Sequence, residues 1–205
     1  MKIIQPFDAT RKQLWNEIVL VQEAWGQYSS LFVEDANRVE LLNVCDGRFF
    51  NVVQRVLLRE VLLGISRLTD PVKQGKCDNI VVSSLLWDPA VDKHDGLREE
   101  LETAVARAIK SAESIRTHRN KYIAHLDAET ALSNKSVILP RIQVESVNAA
   151  IRDISSAYNV HSIRIHEMHS FSDICAEENS ISLIRILECS EKWMRWNQIK
   201  KRNPQ

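Results

Sequence analysis

Cysteine is scarce in this chain of 205 residues, and its spacing excludes two classes of small protein. The four cysteines, Cys45, Cys77, Cys175 and Cys189, include no C-x-x-C pair. Their spacing therefore indicates neither a zinc framework nor a disulfide scaffold. We expect free thiols in a reducing compartment, with no metal and no cofactor.

An excess of positive charge is also missing. Lysine and arginine total 27 and aspartate and glutamate total 27, so the formal net charge is zero. Proteins that bind nucleic acid through their overall charge are normally basic. Any contact with RNA must therefore come from a local patch of cations.

Long apolar runs are absent as well. A helix that spans a bilayer needs roughly 18 or more consecutive apolar residues, and no stretch of this sequence approaches that length. The first residues, Met1–Pro6, lack the apolar region of a secretory signal peptide. The expectation is a cytoplasmic protein with no membrane association.

Helical periodicity runs through most of the chain and predicts an all-α fold, a helical bundle of four to six helices. The length suits a single domain over residues 1–205, with its core at 8–198 and a frayed tail at 199–205. The stretches 71–79 and 87–96 are predicted as loops. Helices are predicted over 8–32, 35–45, 48–68, 80–86, 97–125, 144–168 and from 179 or 180 onward.

The predicted helix 48–68 is the most apolar of these. Its apolar residues cover nearly two faces, which is the pattern of a helix at the centre of a bundle. Asp46-Gly47 separates it from the preceding helix, and Pro71 ends it. Gly64 costs about 1 kcal/mol in a helix interior, so we expect close helix packing at that position.

The stretch Arg119–Asp127, RNKYIAHLD, carries the residues best suited to chemistry. Arg119 provides a permanent charge and a planar set of donors that fits phosphate oxygens. His125 provides an imidazole that takes and gives protons near neutral pH. The same residues also suit a solvated last turn of a helix, where cations face the helix dipole favourably. Both interpretations stay open at this point.

The spacing of Arg119 and His125 sets a geometric condition. At ~100° per residue, the two side chains are about 120° apart around an ideal helix. One straight helix therefore does not aim both at one atom. Either the helix bends before His125, or two copies of the segment meet across a two-fold axis.

An Arg, a polar residue directly after it and a His six positions after the Arg resemble the signature of the HEPN superfamily. Here these residues are Arg119, Asn120 and His125, at the end of a long predicted helix. The wording RNKYIAHLD looks most like the abortive-infection branch, the AbiU-type HEPN proteins. The phrase SRLTDP at Ser66–Pro71 looks like the same branch. The resemblance covers roughly Asp46–Asp127.

The resemblance implies a metal-independent endoribonuclease in a toxin-antitoxin or antiphage role, formed by a homodimer with a composite cleft. His125 would take the proton of a ribose 2′-hydroxyl, and Arg119 would bind the phosphate and stabilise the charge of the transition state. Asn120 would hydrogen-bond the phosphate or fix a catalytic side chain. Residues predicted to bind the RNA substrate are Arg116, His118, Lys121 and Tyr122.

The acid that protonates the leaving 5′-oxygen is not evident from the sequence. His118 and Tyr122 are candidates, because they share a helix face with His125. Each also has an ordinary explanation, since Tyr122 suits packing and His118 suits a position on the surface.

Other functions remain open. A non-catalytic HEPN-type module that binds nucleotide, RNA or a protein partner fits a neutral chain with one local basic cluster equally well. A bundle that assembles with an antitoxin partner is a third interpretation. Some family toxins carry a Tyr two residues after the His, where an antitoxin transfers a nucleotide. Asp127 stands at that position here, which weighs against that mode of regulation.

Two smaller clusters complete the candidates. His161, His166 and His169 lie close together in sequence, but no cysteine or carboxylate completes a typical metal-binding spacing, so no metal site is predicted. Arg67 and Asp70 within SRLTDP are predicted to form an ion pair at the end of their helix.

Overall fold

The computed structural model describes residues 7–74, 77–122, 142–166, 181–190 and 192. The chain is all-α, as predicted, with long helices α1 to α5 at Phe7–Phe32, Ala36–Thr69, Leu97–Ser111, Glu113–Tyr122 and Val144–His166. Residues 181–190 are helical too. None of the helices in these described ranges has the length and apolarity needed to cross a bilayer.

Short elements fill the connection between α2 and α3. Strands β1 (Lys73–Gln74) and β2 (Cys77–Asp78) pair antiparallel within the stretch predicted as a loop. A 3₁₀ helix at Val82–Trp87 confirms the short helix predicted there, and a second one covers Val91–Lys93. The connection is therefore more ordered than its Gly, Pro and Asp content indicates.

The chain forms two compact units. The first comprises Met1–Val21 and Glu60–Asp173, and the second comprises Gln22–Arg59 and Ile174–Gln205. Helix α3 packs against α5 inside the first unit. The described residues of the two family-like phrases, SRLTDP and RNKYIAHLD, lie in this first unit. The expectation of a single domain stays a prediction.

The core of the first unit follows the predicted helical stripes. Leu14, Ile18 and Val21 of α1 are at most 3% exposed. Predicted stripes on the later helices are buried as well: Leu101, Val105, Ala108, Ala112, Ile115, Val147, Ala150, Ile154 and Tyr158. The spacing of apolar residues therefore identified the inner faces of α1, α3 and α5 correctly.

The second unit has an apolar cluster of its own. Its buried members are Leu31, Leu41, Leu42, Phe50 and Ile184. Phe32, Cys45, Leu57 and Leu187 are partly buried against them. Burying apolar side chains of this size supplies the main favourable free energy of such a cluster.

Asp46 interrupts α2 where the sequence predicted a break. Its backbone is non-helical, with φ −163° and ψ 85°. Its Oδ1 accepts a hydrogen bond from the Phe49 N–H at 3.1 Å, as an N-cap does for the third residue of a helix. The residues on either side therefore form two helical segments joined by a capped kink.

The expectation that the segment after this kink is buried on two faces is wrong for its first half. Phe49, Val52 and Val56 are 59%, 48% and 58% exposed. A neighbouring face, about a third of a turn away, is the one that packs, because Phe50 and Leu57 lie in the cluster of the second unit. An apolar pattern on two faces shows what a helix is able to bury, and only packing decides which face it does bury.

The predicted helix 97–125 is divided into α3 and α4. Ala112 lies between them with φ −83° and ψ −6°. The Ser111 hydroxyl donates to the carbonyl of Ala108 at 3.1 Å, and the Ala112 N–H donates to the same carbonyl at 3.2 Å. A serine hydroxyl that competes for a helical carbonyl bends a helix. The interruption of the helix thus precedes the Arg119 region.

Gly64 lies where α2 meets α1, as its place in a helix interior predicted. A Cβ atom added at Gly64 would overlap Cγ2 of Val21, which is 3% exposed and β-branched. Gly64→Ala should lower the free energy of unfolding by about 1–3 kcal/mol, the usual cost of overpacking. Chemical denaturation measures this change.

Gly47→Ala is the matched control. Its nearest contact would be Asn43 Oδ1 at 3.4 Å, an ordinary distance. The free energy of unfolding should stay unchanged or rise by up to about 1 kcal/mol, because alanine favours helix. Equal effects of the two substitutions would contradict close packing at Gly64.

Candidate active site

The phrase SRLTDP forms the last turn of α2 and the exit from it. The Ser66 hydroxyl donates to the Leu62 carbonyl at 2.7 Å, and the Thr69 hydroxyl donates to the Ile65 carbonyl at 2.8 Å. Leu68 is 1% exposed and anchors the turn in the core. These bonds satisfy buried hydroxyl groups within the helix itself. Asp70 is thereby presented from a well-packed helix end.

The Asp70 carboxylate holds two cations of α4. Arg119 donates from a terminal nitrogen to Asp70 Oδ1 at 2.6 Å, and Arg116 Nε lies 3.5 Å from the same oxygen. The side chains of Asp70 and Arg119 are only 14% and 19% exposed. Short, charge-assisted and partly shielded from water, this contact is stronger than a neutral hydrogen bond. It fixes the direction of the Arg119 side chain.

Arg67 does not take part, so the predicted Arg67–Asp70 ion pair is wrong. Its guanidinium lies 2.8 Å from Glu60 Oε1 and 3.5 Å from Glu17 Oε2. Asp70 follows the last helical residue of α2, so its side chain leaves the helix direction and meets α4 instead. Arg67 thus pairs with Glu60 of its own helix and with Glu17 of α1, while Asp70 pairs with α4.

Positive charge dominates around Asp70. Two guanidinium groups face one carboxylate, which leaves an excess of one positive charge among these three side chains. The Nε atoms of Arg116 and Arg119 have no hydrogen-bond partner among the residues that the structure describes. These Nε atoms are buried, and that of Arg116 is the atom nearest Asp70. A guanidinium carries five N–H donors, so the contact with Asp70 leaves others on the terminal nitrogens. An anion such as a phosphate oxygen is the natural acceptor.

His118, next to Arg119 in sequence, is partly buried. Burial lowers the pKa of His118 below its ordinary value. The imidazole is therefore neutral at neutral pH. A neutral imidazole accepts a proton more readily than it donates one. His118 stays, with Tyr122, a candidate for the general acid.

The structure describes only some of the remaining predicted site residues. Asn120 is exposed on α4, where a substrate can reach it. Lys121 and Tyr122 belong to α4, but their side chains lie outside the described residues, as does the whole of His125. The structure thus brings together Arg116 and Arg119. The roles given to all seven predicted site residues stay predictions.

Comparison with protein families supplies the identification. The family HEPN_AbiU2, described as AbiU2, matches residues 4–181. The chain belongs to this family. Neither the curated proteins nor the solved structures gave a significant match.

Membership in the AbiU2 family confirms the resemblance seen in the sequence. The match contains both SRLTDP and RNKYIAHLD, the two phrases that carried it. The protein is a HEPN-type, all-α module of abortive infection. In the folded AbiU2-family protein the two phrases touch, through Asp70 of the first and Arg119 of the second.

A second polar cluster in the same unit escaped the sequence analysis. His161, fully buried, has its Nε2 2.9 Å from Asp88 Oδ2. The ring of His166 lies 6.1 Å from the ring of His161, centre to centre. Burial lowers the pKa of His161, against the opposing effect of Asp88, so its ring is neutral. The carboxylate missing from the histidine pattern is therefore present, 73 positions earlier in the chain.

Asp70→Asn tests the contact at the end of α2. The substitution keeps the shape but removes the charge that neutralises two partly buried guanidinium groups. Stability should fall by about 1–3 kcal/mol, the cost of leaving such groups poorly paired. Thermal and urea unfolding measure the loss.

Asp92→Asn is the control, with the same chemical change in an exposed pair. Asp92 lies 2.5 Å from Arg98 Nε, and the two side chains are 64% and 43% exposed. No measurable change is expected, because water screens exposed ion pairs. A loss as large as that of Asp70→Asn would mean that burial does not distinguish the two contacts.

Proposed function

We propose that this AbiU2-family protein is a metal-independent endoribonuclease that acts in abortive infection. The observation that supports the proposal best is the fixed guanidinium of Arg119. Asp70 orients it at 2.6 Å through one terminal nitrogen, and the guanidinium has five N–H donors in all. An oriented cation with unused donors suits a phosphate whose charge grows during reaction.

The proposed reaction begins at the ribose. His125 takes the proton of the 2′-hydroxyl, and the resulting oxygen nucleophile attacks the adjacent phosphorus. The bond from phosphorus to the 5′-oxygen breaks, and that oxygen receives a proton. The products are a 2′,3′-cyclic phosphate and a 5′-hydroxyl. DNA is not cut, because it lacks the 2′-hydroxyl.

In this proposal the two arginines stabilise the negative charge of the transition state. Arg119 donates to the non-bridging phosphate oxygens, and Arg116 adds a second positive charge beside it. Asp70 acts as a positioning residue, since it contacts Arg119 and not the RNA. Asn120, exposed next to Arg119, hydrogen-bonds the phosphate in this proposal. His118, Lys121 and Tyr122 complete the surface that receives the RNA.

A second candidate is a non-catalytic module that binds nucleotide, RNA or a protein partner such as an antitoxin. The contact of Asp70 with both arginines favours it in one respect, because a carboxylate already occupies an anion position. In this case the cations serve affinity and no bond is broken. Binding without cleavage, unchanged by His125→Ala, is the result that separates it from the ribonuclease.

The ribonuclease proposal predicts defined losses of activity. His125→Ala should slow the cleavage of RNA by about 10²–10⁴-fold, the usual contribution of a general base. Arg119→Ala should slow it by about 10²–10³-fold through lost stabilisation of charge. Arg119→Lys should restore little, because lysine keeps the charge but not the planar donors. Purified protein, total RNA and EDTA, followed by sequencing of the RNA ends, provide the measurement.

His94→Ala is the matched control, since His94 is exposed and lies outside the motif. It should cleave RNA like the wild type, and melting temperatures in EDTA must agree for all variants. Equal cleavage by folded wild type and folded His125→Ala would contradict the proposal. Ends without a cyclic phosphate would contradict the proposed chemistry.

We also propose that the active form is a homodimer whose two-fold axis passes near Arg119–His125. The angular separation that an ideal helix would give Arg119 and His125 supports it, because a second copy supplies what one straight helix would not aim at the substrate. Pairing two such motifs also doubles the local excess of positive charge. A patch of this kind lets a chain with zero net charge bind a polyanion.

Sedimentation at micromolar concentration should show a dimer. Asn120→Arg should weaken it, because a residue near a two-fold axis faces its own copy and like charges then repel. Val56→Asp, on the exposed apolar face of α2, should remain dimeric. A monomeric wild type would remove the composite cleft, and a monomer caused only by Val56→Asp would move the axis to α2.

A further inference from the structure

The cluster of Asp88, His161 and His166 has the composition of a metal site. Each residue offers one donor atom, and the three donor atoms lie within 4.8 Å of one another. The side chains of His161 and Asp88 are 0% and 9% exposed. A polar group of this kind is rarely buried without a partner for each of its atoms.

Two imidazole nitrogens in the cluster lack such a partner. His161 Nδ1 and His166 Nε2 are buried and have no hydrogen-bond partner among the residues that the structure describes. Leaving a buried polar atom unsatisfied is unfavourable, and a bound ion removes that penalty. Asp88 faces Nε2 of His161, so an ion that binds both residues uses that nitrogen. The same ion would satisfy the orphan Nε2 of His166, whose ring lies 6.1 Å from the His161 ring.

Local structure holds the donors in place. Asp88 ends the 3₁₀ helix Val82–Trp87, and its Oδ1 accepts the Ala90 N–H at 2.9 Å. Oδ2 is thereby directed to His161. The Phe7 ring lies 5.4 Å from the His161 ring and covers it. Such supporting contacts are what orient the ligands of natural metal sites.

The donor set selects the class of ion. Two imidazoles and one carboxylate suit Zn²⁺ and related transition-metal ions, with a water as a fourth ligand. Ca²⁺ and Mg²⁺ prefer sites made of oxygen atoms. Bonds of ~2.0–2.1 Å in a tetrahedron separate donor atoms by about 3.3 Å. Donor atoms that lie within 4.8 Å of one another therefore approach by up to about 1.5 Å when the ion binds.

The nearby guanidinium of Arg11 does not prevent an ion from binding to this cluster. Arg11 lies near the cluster, but its guanidinium contacts Asp8 at 3.7 Å and the Tyr158 hydroxyl at 3.4 Å. The Asp8 carboxylate therefore partly neutralises the charge of Arg11. The negative charge of Asp88 remains directed at the imidazoles.

We propose that Asp88, His161 and His166 bind one Zn²⁺-class ion, which ties the end of α5 to the turn after the 3₁₀ helix. The site is separate in sequence from the Arg119 motif, and its role is structural. It does not depend on RNA cleavage, and it requires no metal in the proposed reaction.

The test uses tag-free full-length protein from which metal has been removed. Zn²⁺ is titrated against a chromophoric chelator, and melting temperatures are recorded with and without the ion. We expect one ion per chain and a rise in melting temperature, because an ion that binds only the folded state stabilises it. His166→Gln and Asp88→Asn should each weaken binding by at least about 10-fold. His94→Ala should bind like the wild type.

Co²⁺ spectroscopy identifies the donors independently of affinity. Bound Co²⁺ should show the visible absorption of a low-coordinate nitrogen and oxygen site, and His166→Gln should abolish it. A sulfur-to-metal charge-transfer band would assign the ion to cysteines such as Cys45 or Cys189 and would overturn the proposal. Wild-type binding by folded His166→Gln and Asp88→Asn would overturn it too.

Discussion

One partly buried carboxylate at the end of α2 organises the cationic region of this protein. Asp70 receives Arg119 at 2.6 Å and attracts Arg116, so two guanidinium groups lie side by side without an unscreened repulsion. The contact depends on a helix end that is itself fully satisfied, since the Ser66 and Thr69 hydroxyls bond within α2. Removing the Asp70 carboxylate would leave partly buried guanidinium charge without its partner.

This arrangement connects the two phrases that characterise the chain as a member of the AbiU2 family. SRLTDP and RNKYIAHLD are separated in sequence, yet their charged residues meet in space. SRLTDP carries none of the proposed catalytic residues, but its Asp70 positions Arg119 of RNKYIAHLD. In the proposed ribonuclease, Asp70 therefore matters through Arg119 rather than through contact with RNA.

The break between α3 and α4 bears on the same region. The sequence predicts one helix over 97–125, but the structure divides it at Ala112. Arg116 and Arg119 therefore belong to a separate element, α4, and both reach Asp70 from it. A continuous helical pattern does not reveal such a break, because a local side-chain bond to a helical carbonyl leaves the periodicity intact.

The sequence by itself determined the helical class, the capped break at Asp46, the inner faces of α1, α3 and α5, and the cations of the motif. These properties depend on the spacing of apolar residues and on local capping, which act within a few residues. Only the tertiary structure decided that Asp70 pairs with Arg119 rather than Arg67, that Asp88 meets His161, and that Phe49 is exposed. The reason is physical: contacts across 49 and 73 positions depend on how helices pack, and many packings share one periodicity.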